Sequence, residues 1–533
     1  MLAVLAITIG NRTSLKAQHA HDEAELGRVA FAVSCTPAAQ SQFTNAVALL
    51  HHMTYPQARA EFARVSATDP KCAMAHWGVA MTLFQPLWPT RPRPDELQRG
   101  WDEVQQAMAL QPPTAREQSF VRSAAAFFQD PAATDYWARI RRWEEAQDST
   151  YRAFPNDPEA AVFYALAHLA TTPGNAITRD HADRAAAILL GVYDRNPEHP
   201  GAMHYLVHAN DVPGREKDLL EITRKYARVA PRNPHALHMP THIFTRLGDW
   251  DAVVKGNLLA AAAALEQPAG DKEQFVWDEF PHAIEYLIYA KLQQGADDEA
   301  ALQLQRLLST PNLEPTFKTA FHLASSQARF ALERRAWDEA ARLTPRTPPS
   351  LAWDKFAWPE AIAQFARGLG AAHIGQVDVA TSAADRLAAL ESAARSSGEE
   401  LFARNISMLS LELHGWLAHV AGQRDSSVQL LRQAAALEGS TPKHAVTPGP
   451  TLPAQELLGD LLLEQQQPAA ALDAYRASLQ AYPQRFNSLF GAARAAQALG
   501  DTSAAREYYR SLVDIAGAGT RPALQEARAF LRG

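Results

Sequence analysis

Two His-x-x-x-His pairs stand 34 residues apart in this 533-residue sequence: His204 with His208, and His238 with His242. An i, i+4 pair on a helix points both rings to one side, ~6 Å apart. Two such pairs on neighbouring helices make a four-imidazole patch. Neutral imidazole with a carboxylate nearby suits Zn, Cu(II), Fe or Ni. His235 and His282 are possible additional ligands, and Asp211, Glu285 and Tyr289 are candidates to move protons, if the fold brings them to the same face. No nucleophile elbow, phosphate-binding glycine loop, His-Glu-x-x-His or haem-attachment motif is present, so chemistry here rests on the histidines alone.

Helices must position these rings. Apolar residues recur at three- and four-residue spacing, and Gly, Pro, Asp and Asn break the pattern every 15 to 20 residues, which is the punctuation of helical hairpins. Ala471 and Tyr475 return as Ala505 and Tyr509, 34 residues on. Ala58, Phe62 and Pro70 keep the spacing of Ala471, Tyr475 and Pro483, and Gly459 fits the small position of a first helix. Pro197 and Pro231 are again 34 apart. This pattern resembles the tetratricopeptide repeat family, in divergent form and of bacterial type. The resemblance implies an all-α, right-handed solenoid of antiparallel helix pairs, with about eleven or twelve units. It also implies a concave groove lined by the first helices of each pair. In that frame His204, His208, His238 and His242 face the groove from adjacent helices, joined by Asp211, His235, His282 and Glu285, with His322 at the edge. Pro240 falls between His238 and His242 and predicts a kink or a late helix start.

The remaining histidines read as packing or loop residues. His51 and His76 are expected to pack between helices; the alternative is that His51, His52 and His76 face the N-terminal end of the groove as a second, smaller cluster with Trp77 and Trp88. His414 and His419 read as structural, and His19, His21 and His444 as loop residues. An insertion after Gln267 carries Trp277 and Asp278 just before His282, placing both, with His322, as candidate ligand contacts on a wall of the groove.

Residues 2–9 are apolar but too short to span a bilayer, and no Lys or Arg precedes them. Residues 1–22 therefore read as a degenerate signal peptide or a frayed end. Residues 23–437 read as the main solenoid, 438–453, rich in Pro, Gly, Ser and Thr, as a linker, and 454–533 as a C-terminal pair. Cys35 and Cys72 each precede a helical hairpin, so stacking would bring them into bridging range, as an oxidising compartment permits. Periplasmic or secreted placement is expected, with the cytoplasm as the alternative. A net charge of −7 argues against general nucleic-acid binding. Three functions fit: a groove that holds a transition metal, Zn or Cu before Fe, and binds a peptide, protein or small ligand; a metal-dependent hydrolase or oxidase; or a metal-free interaction scaffold.

Overall fold

The computed structural model describes residues 25–533 except 89–90, 134, 173–177, 270–271 and 518. The expected signal segment, with His19 and His21, lies outside the described residues. Among the described residues run 26 α-helices, numbered α1 to α26 in chain order. Each packs on the next, and many also on the next but one, as in α14 (Glu279–Gln293) with α16 (Phe317–Leu332). That is the stacking of a helical-repeat solenoid, and the fold is all-α and tetratricopeptide-like. Aromatic residues of second helices fill gaps left by glycines of first helices. A Cβ on Gly459 would stand 2.7 Å from the Tyr475 ring, and one on Gly78 would stand 2.2 Å from Phe62. Cys35 and Cys72 form a disulfide. It ties the segment before α1 (Pro37–His51) to the start of α3 (Ala73–Met81).

The array does not run straight to its end. The C-terminal residues share an apolar core with α16 and the helices after it: Leu457, Tyr475, Ala492 and Ala505 belong to the same buried cluster as Phe321, Leu332 and Trp416. The last repeats also turn back onto the middle of the chain. The Trp250 indole donates to the Gln484 carbonyl at 2.8 Å. Gly295 meets Phe486 and Leu524, and Arg521 pairs with Asp297. At this seam Arg485 is fully buried between Glu333 (2.9 Å) and Glu456 (2.9 Å).

Residues 438–453 join α21 (Arg424–Gly439) to α22 (Ala454–Glu464), but they are not a solvated spacer. His444, Val446, Thr447 and Leu452 are buried. Arg329, on α16, donates to the carbonyls of Gly449 (2.7 Å) and Pro450 (2.8 Å) and to Thr447 Oγ1. Lys443 reaches Asp211 at 2.9 Å. Composition suggested a linker because it carries no helical period. Buried cations reading its carbonyls hold it as a strap against the face that bears the histidines.

The insertion after Gln267 forms a two-stranded antiparallel hairpin, Pro268–Ala269 with Lys272–Val276. Val276 also bonds the backbone of Asn312 and Glu314. It leads into α14 and delivers His282.

Candidate metal centre

Four short helices carry the rings. His204 and His208 sit on α9 (Pro200–Asn210), and His235 and His238 on α11 (Pro234–His238). His242 follows on α12 (Pro240–Leu247), and His282 is on α14. Met239 keeps helical dihedrals between α11 and α12 (φ −52°, ψ −41°). The Pro240 interruption is thus a break within one path rather than a loop, and it leaves His238 Nε2 and His242 Nε2 only 3.0 Å apart.

The expected four-imidazole patch is instead two triads. One ring nitrogen from each of His204, His208 and His235 lies within 4.8 Å of the other two. The same holds for His238, His242 and His282. His235 and His238 are neighbours on α11 yet serve different triads. The expected open groove is also closed: all six rings are at most 5% exposed. The strap lies against this face, through Lys443 on Asp211 and Arg329 on the Gly449 and Pro450 carbonyls.

Hydrogen-bond partners fix where each ring keeps its hydrogen. A neutral imidazole has one N–H and one lone pair, and carbonyl and carboxylate oxygens only accept. His204 Nδ1 donates to the His51 carbonyl at 2.6 Å, so its Nε2 bears a lone pair. His235 Nδ1 donates to Glu279 at 3.2 Å, with the same result. The Nε2 atoms of His204, His208 and His235 are buried and have no partner.

In the second triad His242 Nδ1 donates to Asp211 at 3.0 Å. Asn257 gives its amide N–H to the Val253 carbonyl, which turns its Oδ1 to accept from His238 Nδ1 at 2.7 Å. His322 Nδ1 donates to Glu285, so His322 Nε2 accepts from His282 Nδ1 at 2.9 Å. All three Nε2 atoms of this triad therefore carry lone pairs. The 3.0 Å approach of His238 to His242 has no hydrogen to make it a bond. Two lone pairs face each other between buried rings, an arrangement that a shared cation relieves.

Burial disfavours the charged form of five of the six rings, His204, His208, His238, His242 and His282, and the neutral form is the one that binds metal. Burial lowers His204, His238 and His282 well below the ordinary histidine value and His208 to about 3, with neighbouring histidines adding to the effect. Burial likewise lowers His242, although the hydrogen bond to Asp211 opposes it.

The partners of the rings are themselves held. Burial would push Asp211 upward, but Lys443, Arg246 and His242 hold it far below the usual carboxylate range. Against its burial, Glu279 is kept low by Lys318 and by the hydrogen bond from His235. Glu285 accepts from His322, Ser325 (2.6 Å) and Arg329 (3.1 Å). Tyr289 receives Arg485 at 2.8 Å. The three residues expected to move protons are thus fully engaged; Asp211 orients the His242 ring, and Glu285 orients His322 behind His282.

His322 stands behind His282 rather than at a groove edge. Trp277 is buried, and Asp278 binds Lys318 (3.1 Å) and Thr316 (2.8 Å). These contacts pin the start of α14 and put neither residue on a ligand wall. Tyr286 went unnoticed in sequence; its ring stands 4.7 Å from that of His238 and 5.2 Å from that of His242.

A third group, His51, Glu159 and His199, also brings one ligand atom from each residue within 4.8 Å of the others but has a partner at every ring nitrogen. Glu159 bonds His51 Nε2 (2.8 Å) and His199 Nε2 (3.2 Å). The Tyr205 hydroxyl meets His51 Nδ1 (3.1 Å), and the Ala202 amide donates to His199 Nδ1 (3.2 Å). No lone pair is left to offer. His52 is saturated too, by Tyr226 and the Leu26 carbonyl. His76 bonds Glu103, His419 bonds Glu464, and Trp88 stands over His235.

A cavity of about 610 Å³ reaches His208 and Asp211 from the strap side. No family model matches the chain, and no curated protein matches it in sequence. Among solved structures it is similar to the human IFIT1 dimer with m7Gppp-AAAA, at 12% identity over 84% of this chain and 90% of that one, with a TM-score of 0.35. It is also similar to a chain of the APC/C Cut9–Hcn1 hetero-tetramer, at 13% identity over 93% and 89%, TM-score 0.33. A tetratricopeptide repeat protein from Parabacteroides merdae is 15% identical over 56% of this chain and 97% of its own, TM-score 0.29. No helix of the described residues is long and apolar enough to cross a membrane.

Proposed function

We propose that this protein is an exported tetratricopeptide-like binding protein whose two histidine triads hold transition-metal ions, Zn or Cu before Fe, beside a cavity for a peptide or small ligand. One observation carries the reading. Six buried imidazoles are arranged in threes, and four of them, His204, His238, His242 and His282, by their hydrogen-bond partners, aim a lone pair with no hydrogen to receive it. Leaving a buried polar atom unpaired costs ~1–3 kcal/mol, and a fold that does so repeatedly at one place is built around something that pairs them. Imidazole sets backed by carboxylates and carbonyls on Nδ1 are the usual support of a metal ligand shell. The Cys35–Cys72 disulfide supports an oxidising compartment.

A second reading, a metal-dependent hydrolase or oxidase, is favoured by the cavity that reaches His208 and Asp211. A three-histidine ion with an open position supplies Lewis acidity and an activated water. In that reading Asp211 orients the His242 ring, and Glu285 orients His322 behind His282.

Metal analysis of the purified full chain after equilibration with Zn(II) or Cu(II) tests both. Two equivalents are expected in the parent protein. One is expected in His204→Ala/His208→Ala, and one in His238→Ala/His242→Ala. No bound metal in the parent, or equal content in all three proteins, removes the metal centre.

A further inference from the structure

We infer that the cavity beside the strap binds an organic ammonium ion, through Glu412 and Glu438, with its apolar body against Trp358. The inference stands whether or not the triads hold metal.

Glu412, on α20 (Glu400–Val420), and Glu438, at the end of α21, both line the cavity. Glu412 is 1% exposed, and its Oε2 has no hydrogen-bond partner. The influences on it are burial and the charge of Glu438, with no cation of the chain among them. A buried carboxyl with no partner is costly, and a second carboxyl beside it adds to the cost. Glu438 is only partly provided for, accepting from the Ala454 amide at 3.1 Å and from Tyr482. Burial raises Glu412 well above the ordinary value and Glu438 to about 7, so the pair waits close to neutrality.

The rest of the cavity selects the kind of cation. Trp358 lines it, packed against Phe321 (4.8 Å) and Phe402 (5.3 Å), and Leu409 and Ile362 add apolar wall. An aromatic face attracts a desolvated cation and also covers its hydrocarbon. The cationic side chains that line the cavity are Arg179, Arg246 and Lys443; Arg246 and Lys443 are held at Asp211, and Arg179 faces Asp183 at 3.8 Å. An ammonium fits the carboxyl end: its N–H donors satisfy the orphaned oxygen, and its charge returns both groups to carboxylates. At neutral pH that conversion gives protons to solvent.

The probe is phenethylamine, with phenylacetate as the anion of similar shape, titrated calorimetrically into the full chain at pH 7 in two buffers of different ionisation enthalpy. One-to-one binding of phenethylamine with net proton release is expected, with phenylacetate at least about tenfold weaker. Glu412→Gln keeps the shape and neutrality of the protonated acid, so its fold is preserved, and it should weaken phenethylamine about tenfold or more. Glu438→Gln provides a second arm with the same expectation. Neither residue is a metal ligand, so loss in these variants separates this site from coordination of the amine by a triad. Preference for phenylacetate, or phenethylamine affinity unchanged in both variants, overturns the assignment.

Discussion

At His51, Glu159 and His199 every ring nitrogen has a protein partner. At His204, His208 and His235 none of the three Nε2 atoms has one. Both groups are buried and both are built on imidazole rings. The difference is one carboxylate. Glu159 stands between its two rings and accepts from both. The carboxylate nearest the first triad, Glu279, stands behind His235 and accepts from Nδ1. A carboxylate between rings closes a site, whereas one behind a ring turns its lone pair outward. Clusters of histidine close enough to hold a metal therefore divide by hydrogen count, which distance alone does not reveal.

The contrast can be broken from either side. Glu159→Ala should cost ~3–5 kcal/mol in urea unfolding, because it leaves two imidazoles buried without their partner, and metal content should not change. A loss below about 1 kcal/mol would mean the cluster is no more structural than the triads. Adding Zn(II) at a hundred times its Kd should stabilise the parent by ~2.7 kcal/mol per site in thermal melts. His204→Ala with His238→Ala should abolish that gain, and Glu159→Gln should keep it. Asp211→Asn disturbs the acceptor behind His242 and should weaken the second triad for metal 10- to 100-fold. The first triad should be unaffected, so competition with a chelator should show one weakened site and one normal one.

Another effect is a slope with pH. His52 is saturated and lies outside the triads, and its folded value is about 3 because of burial. The unfolded chain takes up the proton first as pH falls through ~6.5, so stability falls from there downward to about pH 3. Its share is ~1.4 kcal/mol per pH unit, and His52→Gln should remove that slope from metal-free protein between pH 6 and 4. Glu438 acts the other way: its folded value near 7 is raised by burial, so its contribution is lost as pH rises from ~4.3 to 7. An unchanged slope in the His52 variant would contradict burial as the cause.

The 34-residue period made the helices and the in-register pairs legible, because stacked repeats impose the same apolar spacing on every unit. The grouping of the rings was not legible. His235 and His238 are a turn apart on α11, and which triad each joins depends on α9 and on α14, which lies past an irregular insertion. Glu159 is 108 residues from His51, and no local motif joins them. The strap was misread for a related reason: composition records that residues 438–453 make no helix, but it cannot record that Arg329 binds their carbonyls.

Arg485 also bears on how this chain changes length over evolution. Open repeat arrays gain and lose units freely, since each repeat touches only its neighbours. Here the late repeats turn back to place Arg485 between Glu333 and Glu456 and Trp250 against Gln484. Inserting or deleting one 34-residue unit between Glu333 and Arg485 would rotate the end of the array past its seat. The seam therefore fixes the repeat number, and a duplication that an open solenoid would absorb would leave this one unable to close.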